Sequence, residues 1–150
     1  MAATASKAET PATYEDATLL LRLYELRRED KLRQARDWFG KNFHATTLEE
    51  LDKLCPMGSQ ENAYFRMISG YWEMAASFVT NGVLHRELFI QNAHEMLFYW
   101  LRISDIVPLM RERMGNPNMA KNVEAVAGVM IEQEKKAGSF DAFRRMVRGA

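Results

Sequence analysis

Four side chains of types that bind metal ions lie near one another in the sequence: His85, Glu87, His94 and Glu95. Ligands on one helix repeat every three or four residues, as in the Glu-x-x-His pairs of di-iron bundles. That spacing does not occur here, and His85 and His94 stand nine residues apart, which gives them no shared helix face. We therefore predict no metal site and no cofactor, and interpret these residues as a solvated or hydrogen-bonded stripe.

Sequence motifs of catalysis are missing. The eight glycines form no phosphate-binding loop and no Gly-x-Ser-x-Gly elbow. The single cysteine, Cys55, precedes Pro56 and has no flanking His, so we interpret it as a small, partly buried residue and not as a nucleophile. One cysteine also excludes an intrachain disulfide and favours a reducing, cytoplasmic location. We predict no catalytic residue, and an enzyme is the third of our functional hypotheses.

One carboxylate, Glu73, lies inside the largely apolar stretch SGYWEMAASFVTNG, residues 69–82. On a helical wheel it falls opposite the apolar face. Its neighbours on that arc are small residues, namely Ser69, Gly70, Ser77 and Thr80. Such residues let another helix approach closely, so we expect this helix to be buried nearly all round. An unpaired buried carboxylate would cost several kcal/mol. We therefore expect a cationic or hydrogen-bonding partner, with an arginine favoured, either Arg102 or Arg22.

A pocket beside Glu73 is the alternative functional hypothesis. The bundle would enclose a small apolar ligand or a cationic one, with Glu73 orienting a polar or cationic group. Residues such as Trp72, Met74, Phe89 and Trp100 would line the pocket. The candidate ligand-binding residues are Glu73, Trp72, Trp100, His94 and Arg102.

The composition is that of a globular chain with no electrostatic preference for a partner. Of the 150 residues, 47% are hydrophobic and 27% charged, and the formal net charge is zero. A neutral chain has no long-range attraction to nucleic acid or to anionic lipid, so we predict no nucleic-acid partner and regard peripheral membrane binding as the weaker alternative. No apolar stretch approaches the roughly 20 residues that span a bilayer. The chain is therefore expected to be soluble.

Helical periodicity dominates the sequence, and no segment alternates like a strand. We predict an all-α, single-domain bundle of five to six main helices over residues 13–148, after a disordered N-terminal tail over residues 1–12. The predicted helices cover Tyr14 to Phe39, a short segment after Thr47, Gln60 to Asn81, His85 to Ile103, a piece from Pro108 to Gly115, Pro117 to Ala137, and Ser139 to Val147.

Local signals fix several of these boundaries. Thr13, Thr47 and Ser59 are good N-caps, and Gly82 supplies a left-handed residue after the third helix. Asn116 followed by Pro117 reads as an N-cap and a first helical residue.

The first predicted helix is unusually long, about 39 Å at 1.5 Å per residue. A helix of that length overhangs a domain of this size or pairs with a second chain. The sequence also contains 10 methionines and 16 aromatic residues from its Trp, Tyr and Phe counts of three, five and eight. A surplus of such side chains lines an interface or an apolar pocket. Our leading hypothesis is a non-enzymatic helical module that forms a homo-oligomer or binds a protein partner.

The central stretch resembles a family of bacterial helical domains of unknown function. The resemblance rests on the Tyr-Trp-Glu-Met-Ala run at residues 71–75, Gly82, Glu87-Leu88-Phe89, Trp100, Pro108, Arg111 and the Gly-Asn-Pro turn at residues 115–117. It covers roughly residues 20–130. It implies a helical core and supports the importance of Glu73, without supplying catalytic residues. Some members carry a membrane-spanning segment ahead of the core, and no such segment appears in this sequence.

Overall fold

The computed structural model of the chain describes residues 10–149. All regular structure within those residues is helical, which confirms the all-α prediction, but the helices are shorter and more numerous than expected. The nine helices described are α1 Tyr14–Arg27, α2 Asp30–Asn42, α3 Leu48–Leu54, α4 Gln60–Thr80, α5 Arg86–Gln91, α6 His94–Ile103, α7 Val107–Met114, α8 Lys121–Ala137 and α9 Phe140–Arg148.

The long first helix was a wrong prediction, because the chain breaks between α1 and α2. Glu29 leaves the helical conformation and caps α2, its Oε2 accepting a hydrogen bond from the Leu32 N–H at 3.0 Å. The backbone N–H groups of Lys31 and Leu32 lower the pKa of Glu29. On the other side of the break, the Arg36 guanidinium donates to the Arg27 carbonyl at 3.0 Å and satisfies the end of α1. The result is two shorter helices with separate directions of packing.

The predicted helix from His85 to Ile103 is also divided in two. His85 is the N-cap of α5, and its Nδ1 accepts a hydrogen bond from the Leu88 N–H at 3.1 Å. Asn92 ends α5 and donates from its side chain to the Leu88 carbonyl at 2.9 Å. The apolar periodicity continues across this interruption, which is why the sequence pattern does not reveal it.

The start of α8 differs from the prediction by several residues. Asn116 does not cap a helix; its Oδ1 accepts a hydrogen bond from the Asn118 N–H at 3.0 Å and closes a local turn. The helix begins only at Lys121, after Ala120 in the left-handed conformation with φ of 57°. Ala120 has no side chain able to cap the helix, so the first N–H groups of α8 need an acceptor from elsewhere.

Other boundaries confirm the local signals in the sequence. Thr13 forms a capping box with Asp16, and the hydroxyls of Thr47 and Ser59 cap α3 and α4. Left-handed glycines follow or end four helices, namely Gly82 after α4 and Gly115, Gly138 and Gly149 at α7, α8 and α9.

Helix α4 lies at the centre of the packing, between α2 on one side and α8 on the other. Its apolar face meets α2 through stacked rings: Phe43 lies between Phe39 and Phe65, with centroid distances of 4.8 and 4.9 Å. Helix α6 packs on α8 and α9, and α1 packs on α2 and α5. Helix α1 therefore lies at the edge of the bundle.

A buried carboxylate fixes the start of α1. Asp16 is 1% exposed and accepts from Thr13 through Oδ2 and from the backbone N–H of His85 through Oδ1, at 2.9 Å. The His85 Nε2 lies 2.6 Å from the carbonyl of Thr10. The tail predicted over residues 1–12 falls outside the described residues up to residue 9. Among the described residues, no helix is long and apolar enough to cross a membrane.

Candidate functional site

The carboxylate of Glu73 caps the start of α8. Its Oε1 accepts hydrogen bonds from the N–H groups of Asn122 at 2.7 Å and Val123 at 3.0 Å, and its Oε2 lies 3.2 Å from the Asn122 nitrogen. These are the second and third residues of α8, whose N–H groups a local N-cap side chain would otherwise bind. A negative charge also stabilises the positive end of the helix dipole. Glu73 therefore does from α4 what Ala120 cannot do locally.

The expected arginine partner of Glu73 was wrong. Within residues 10–149 neither Arg102 nor Arg22 forms an ion pair with Glu73; Arg22 lies 3.8 Å from Glu25. The expectation that another helix approaches this arc was correct, because Thr80 also donates to Asn122, at 2.5 Å. However, Gly70 and Thr80 are exposed and Glu73 is half-buried, so α4 is less enclosed than predicted.

Arg102 joins the C-terminal ends of two helices. Its Nε donates to the Val147 carbonyl of α9 at 2.6 Å, and its Nη1 donates to the Phe43 carbonyl at the end of α2 at 2.7 Å. The guanidinium also lies 4.5 Å from the Phe98 ring centroid. Burial, and then the nearby Arg148, lower the pKa of Arg102. The negative ends of two helix dipoles thus hold a charge that is only 8% exposed.

The structure does not bring the five predicted ligand-binding residues into one pocket. Glu73 and Arg102 face different helix ends, as described above. His94 is exposed, with its Nε2 3.5 Å from Glu134 of α8. Trp100 is buried in the core. Trp72 lines an open cavity. Ligand binding by the other four remains a prediction from sequence.

The cavity beside Trp72 is an open groove of about 260 Å³ between α1, α4 and α5. We call it the α1 groove. Its apolar lining consists of Leu20, Leu21, Leu23, Tyr24, Trp72 and Phe89. Arg27, Tyr71 and Asn92 supply the polar groups. Trp72 and Phe89 were predicted to line a pocket, and the other lining residues were not, because the groove depends on the position of the short α1 at the edge of the bundle.

A charge cluster of Arg27, Arg36 and Glu95 adjoins this groove through Arg27, which lines it. Arg36 binds Glu95 through two short hydrogen bonds, of 2.6 Å from Nε and 2.7 Å from Nη2. That contact raises the pKa of Arg36. Arg27 is held more loosely, 3.6 Å from Glu95, with its guanidinium 5.2 Å from the Tyr24 ring centroid and 5.7 Å from that of Trp72.

Tyr71 links the groove to the backbone of α1. Its hydroxyl donates to the Leu23 carbonyl at 2.6 Å. Burial raises the pKa of Tyr71 to about 12, although Arg27 and Arg36 act in the opposite direction. The neutral phenol is therefore the form that the folded chain prefers.

This preference predicts a loss of stability at alkaline pH. The ordinary pKa of tyrosine is about 10, so between pH 10 and 12 the unfolded chain gives up the Tyr71 proton while the folded chain keeps it. The contribution is complete below pH 10 and is lost as pH rises towards 12. Tyr71→Phe should lose about 1 kcal/mol at pH 8, from the missing hydrogen bond. The difference in the free energy of unfolding between the wild type and Tyr71→Phe should narrow above pH 10. Urea unfolding curves at pH 8, 10 and 11 measure this difference. If the two proteins lose equal free energy of unfolding as the pH rises, the prediction is contradicted.

Other groups with possible chemistry are dispersed. No three His, Cys, Asp or Glu side chains within residues 10–149 lie close enough together to hold a metal ion. Cys55 is buried, and burial raises the pKa of its thiol to about 11, which keeps it in the unreactive thiol form near neutral pH.

Comparison with known protein families matches residues 12–129 to the family described as Domain of unknown function (DUF4760). The match covers 118 of the 150 residues, counting from 12 to 129. The chain belongs to this family. The resemblance seen in the sequence is thereby confirmed. Neither the curated proteins nor the solved structures give a match.

The DUF4760 region contains α1 to most of α8, and with them the Glu73 contact and the α1 groove. Helix α9 lies beyond it, so the Arg102 contact with Val147 joins the family region to a segment outside it. The family description names no activity, so we infer a function from the surface of the molecule.

Proposed function

We propose that this chain is a non-enzymatic interaction module that self-associates through the exposed face of α1. One observation supports it most strongly. Helix α1 buries only Asp16 and Leu23, while Tyr14, Leu21 and Tyr24 are 89%, 62% and 47% exposed. Large apolar side chains grouped on one exposed helix face are typical of protein interfaces.

The spacing of these residues is that of a coiled-coil seam. Alternating steps of three and four residues connect Tyr14, Ala17, Leu21, Tyr24 and Arg28, which we call the α1 seam. Such a repeat keeps one narrow stripe facing a partner helix. The other exposed flank of α1 carries the charged residues Glu15 and Arg22, while Glu25 borders the seam four residues after Leu21. The helix thus has two unlike exposed sides, one apolar and one charged.

A second copy of the chain fits the α1 seam. In an antiparallel pair related by a twofold axis, Tyr14 of one helix lies opposite Tyr24 of the other, and Ala17 lies opposite Leu21. Each contact then occurs twice, as a symmetric interface requires. The two inner layers each place the small Ala17 against the larger Leu21, which favours interdigitation there. No charged residue lies in these four layers.

The charge of the chain is compatible with this pairing. A formal net charge of zero gives no overall repulsion between copies. A net charge of zero also gives no long-range attraction to nucleic acid, so we propose no nucleic-acid partner. A single buried cysteine supports a reducing, cytoplasmic setting. We do not propose a ligand site centred on Glu73, because both its oxygens already lie within hydrogen-bonding distance of backbone N–H groups.

Two matched substitutions on α1 test the proposal. Leu21→Glu places a charge in the α1 seam, whereas Leu26→Glu places the same charge on the opposite flank, where Leu26 is also exposed at 41%. Sedimentation velocity at micromolar concentrations should give a dimer for the wild type and for Leu26→Glu, and a monomer for Leu21→Glu. We expect Leu21→Glu to raise the dissociation constant of the dimer by more than tenfold. A tenfold change corresponds to about 1.4 kcal/mol.

Three results would contradict the proposal. The first is a wild-type monomer throughout the concentration range, which would leave the seam to a different protein or to no partner. The second is a Leu21→Glu protein that still dimerises. The third is equal dissociation of both variants, which would place the interface elsewhere. Circular dichroism of each variant should show wild-type helicity, since both leucines are exposed.

A further inference from the structure

Beyond self-association, we propose that the α1 groove binds a small aliphatic carboxylate. The chain of the ligand lies against Trp72 and Phe89, and its anionic head contacts Arg27. The proposal concerns the floor of the groove, which α4 and α5 supply together with Arg27. Leu21 and Tyr24 line both the groove and the α1 seam, so ligand binding and self-association are measured on the same samples.

The charges at the groove favour an anion. Two guanidinium groups, Arg27 and Arg36, share a single carboxylate, Glu95. Arg36 engages both oxygens of that carboxylate at 2.6 and 2.7 Å, so its charge is neutralised in a bidentate pair. The uncompensated positive charge therefore lies on Arg27, which belongs to the cluster and also lines the α1 groove.

Arg27 has hydrogen-bonding capacity that its surroundings do not use. Across residues 10–149 its guanidinium makes no hydrogen bond, and its ion-pair partner, Glu95, lies 3.6 Å away. A guanidinium carries five N–H donors. Its side chain is only 15% exposed, and the rings of Tyr24 and Trp72 hold it in place. An acceptor that enters the groove would therefore meet a fixed donor group.

The remaining lining defines the rest of the ligand. Leu20, Trp72 and Phe89 make the walls apolar, so they fit a hydrocarbon chain. Asn92 adds a second polar group, with its side-chain nitrogen engaged by the Leu88 carbonyl and its side-chain oxygen left at the surface. A volume of about 260 Å³ is just below the roughly 300–1,000 Å³ of drug-sized sites, so the ligand is small.

The test is a titration of the full chain with decanoate below its critical micelle concentration. Titration calorimetry and the chemical shifts of the backbone amides measure the binding. Decanol and decyltrimethylammonium are the neutral and cationic probes of equal chain length. Arg27→Gln should weaken decanoate binding by about tenfold, the effect of losing one charge-assisted hydrogen bond. Arg22→Gln is the matched control, since Arg22 is an exposed arginine of the same helix outside the groove. It should change the affinity by less than about twofold.

A second variant keeps the test decisive if Arg27→Gln fails to fold. Asn92→Asp leaves Arg27 in place and adds a negative charge at the groove, so it should weaken decanoate and strengthen decyltrimethylammonium. Decanol binding as tightly as decanoate would overturn the proposal, as would unchanged binding by Arg27→Gln. Binding to phosphatidylglycerol vesicles without binding to free decanoate would overturn it in favour of a membrane surface. Sedimentation of the same samples reports self-association separately.

Discussion

Arg102→Ala is expected to lower the free energy of unfolding by about 3 kcal/mol. The substitution removes the donors for the carbonyls of Phe43 and Val147, both in buried surroundings. These carbonyls end α2 and α9, so each helix terminus is left with an unsatisfied acceptor. The contact of the guanidinium with Phe98 disappears as well. At a chain length of 150 residues the loss corresponds to a fall in melting temperature of roughly 6–12 °C.

Arg144→Ala provides the control, because Arg144 is an exposed arginine of α9. Its loss should stay within about 0.5 kcal/mol. Arg102→Lys keeps the charge but replaces the flat fork of donors with a single ammonium, so we expect an intermediate stability. Urea unfolding of the four proteins gives the comparison. If Arg102→Ala is no less stable than Arg144→Ala, the guanidinium does not hold these helix ends together.

The second large effect is expected at Glu73. Glu73→Ala should lower the free energy of unfolding by about 2 kcal/mol, because the N–H groups of Asn122 and Val123 lose their acceptor. Glu73→Gln keeps an acceptor oxygen and loses the interaction of the charge with the helix dipole, so its loss should be smaller. Glu112→Ala, at an exposed position of α7, is the matched control.

Hydrogen exchange distinguishes this capping role from a general loss of stability. In Glu73→Ala the amides of Asn122 and Val123 should exchange faster by a larger factor than those in the middle of α8. A protein in which all amides of α8 accelerate equally would show that Glu73 stabilises the fold without acting as a cap. An unchanged melting temperature would show that the contact contributes nothing.

Short-range signals made much of the fold predictable. The hydroxyls at Thr13, Thr47 and Ser59 and the glycines at Gly82 and Gly115 act within a few residues, and the structure has helix ends at each of them. Their effect is encoded in residue types that have a strong local preference. The all-α class followed from apolar periodicity for the same reason.

The interruptions of the helices were not predicted, because the residues that cap α2 and α5, Glu29 and His85, are not among the preferred N-cap types. Glu29 ends one helix and caps the next without any Pro or Gly, and Arg36 satisfies the freed Arg27 carbonyl from the following helix. Residues 27–31 are all charged and interrupt the apolar stripe, but a charged segment alone does not end a helix. Only the packing of α1 against α5, fixed by Asp16 and His85, shows why the helix changes direction.

The partner of Glu73 escaped prediction for a related reason. A search for side chains of opposite charge considers arginines such as Arg102, but the N–H groups of Asn122 and Val123 belong to the backbone and carry no signature in the sequence. Their availability depends on Ala120, which starts α8 without a capping side chain. The helical wheel placed Glu73 on the face that meets α8, and the structure shows that its partners are the N–H groups of Asn122 and Val123.

Glu73 and Arg102 stabilise the bundle, whereas the proposed function lies on the exposed face of α1. We propose that two copies pair through the α1 seam, Tyr14, Ala17, Leu21, Tyr24 and Arg28. Sedimentation equilibrium of the wild-type chain over a range of micromolar concentrations tests it most directly. We predict an average mass that rises with concentration from 17.3 kDa towards twice that value. A mass that stays at 17.3 kDa throughout would contradict the claim.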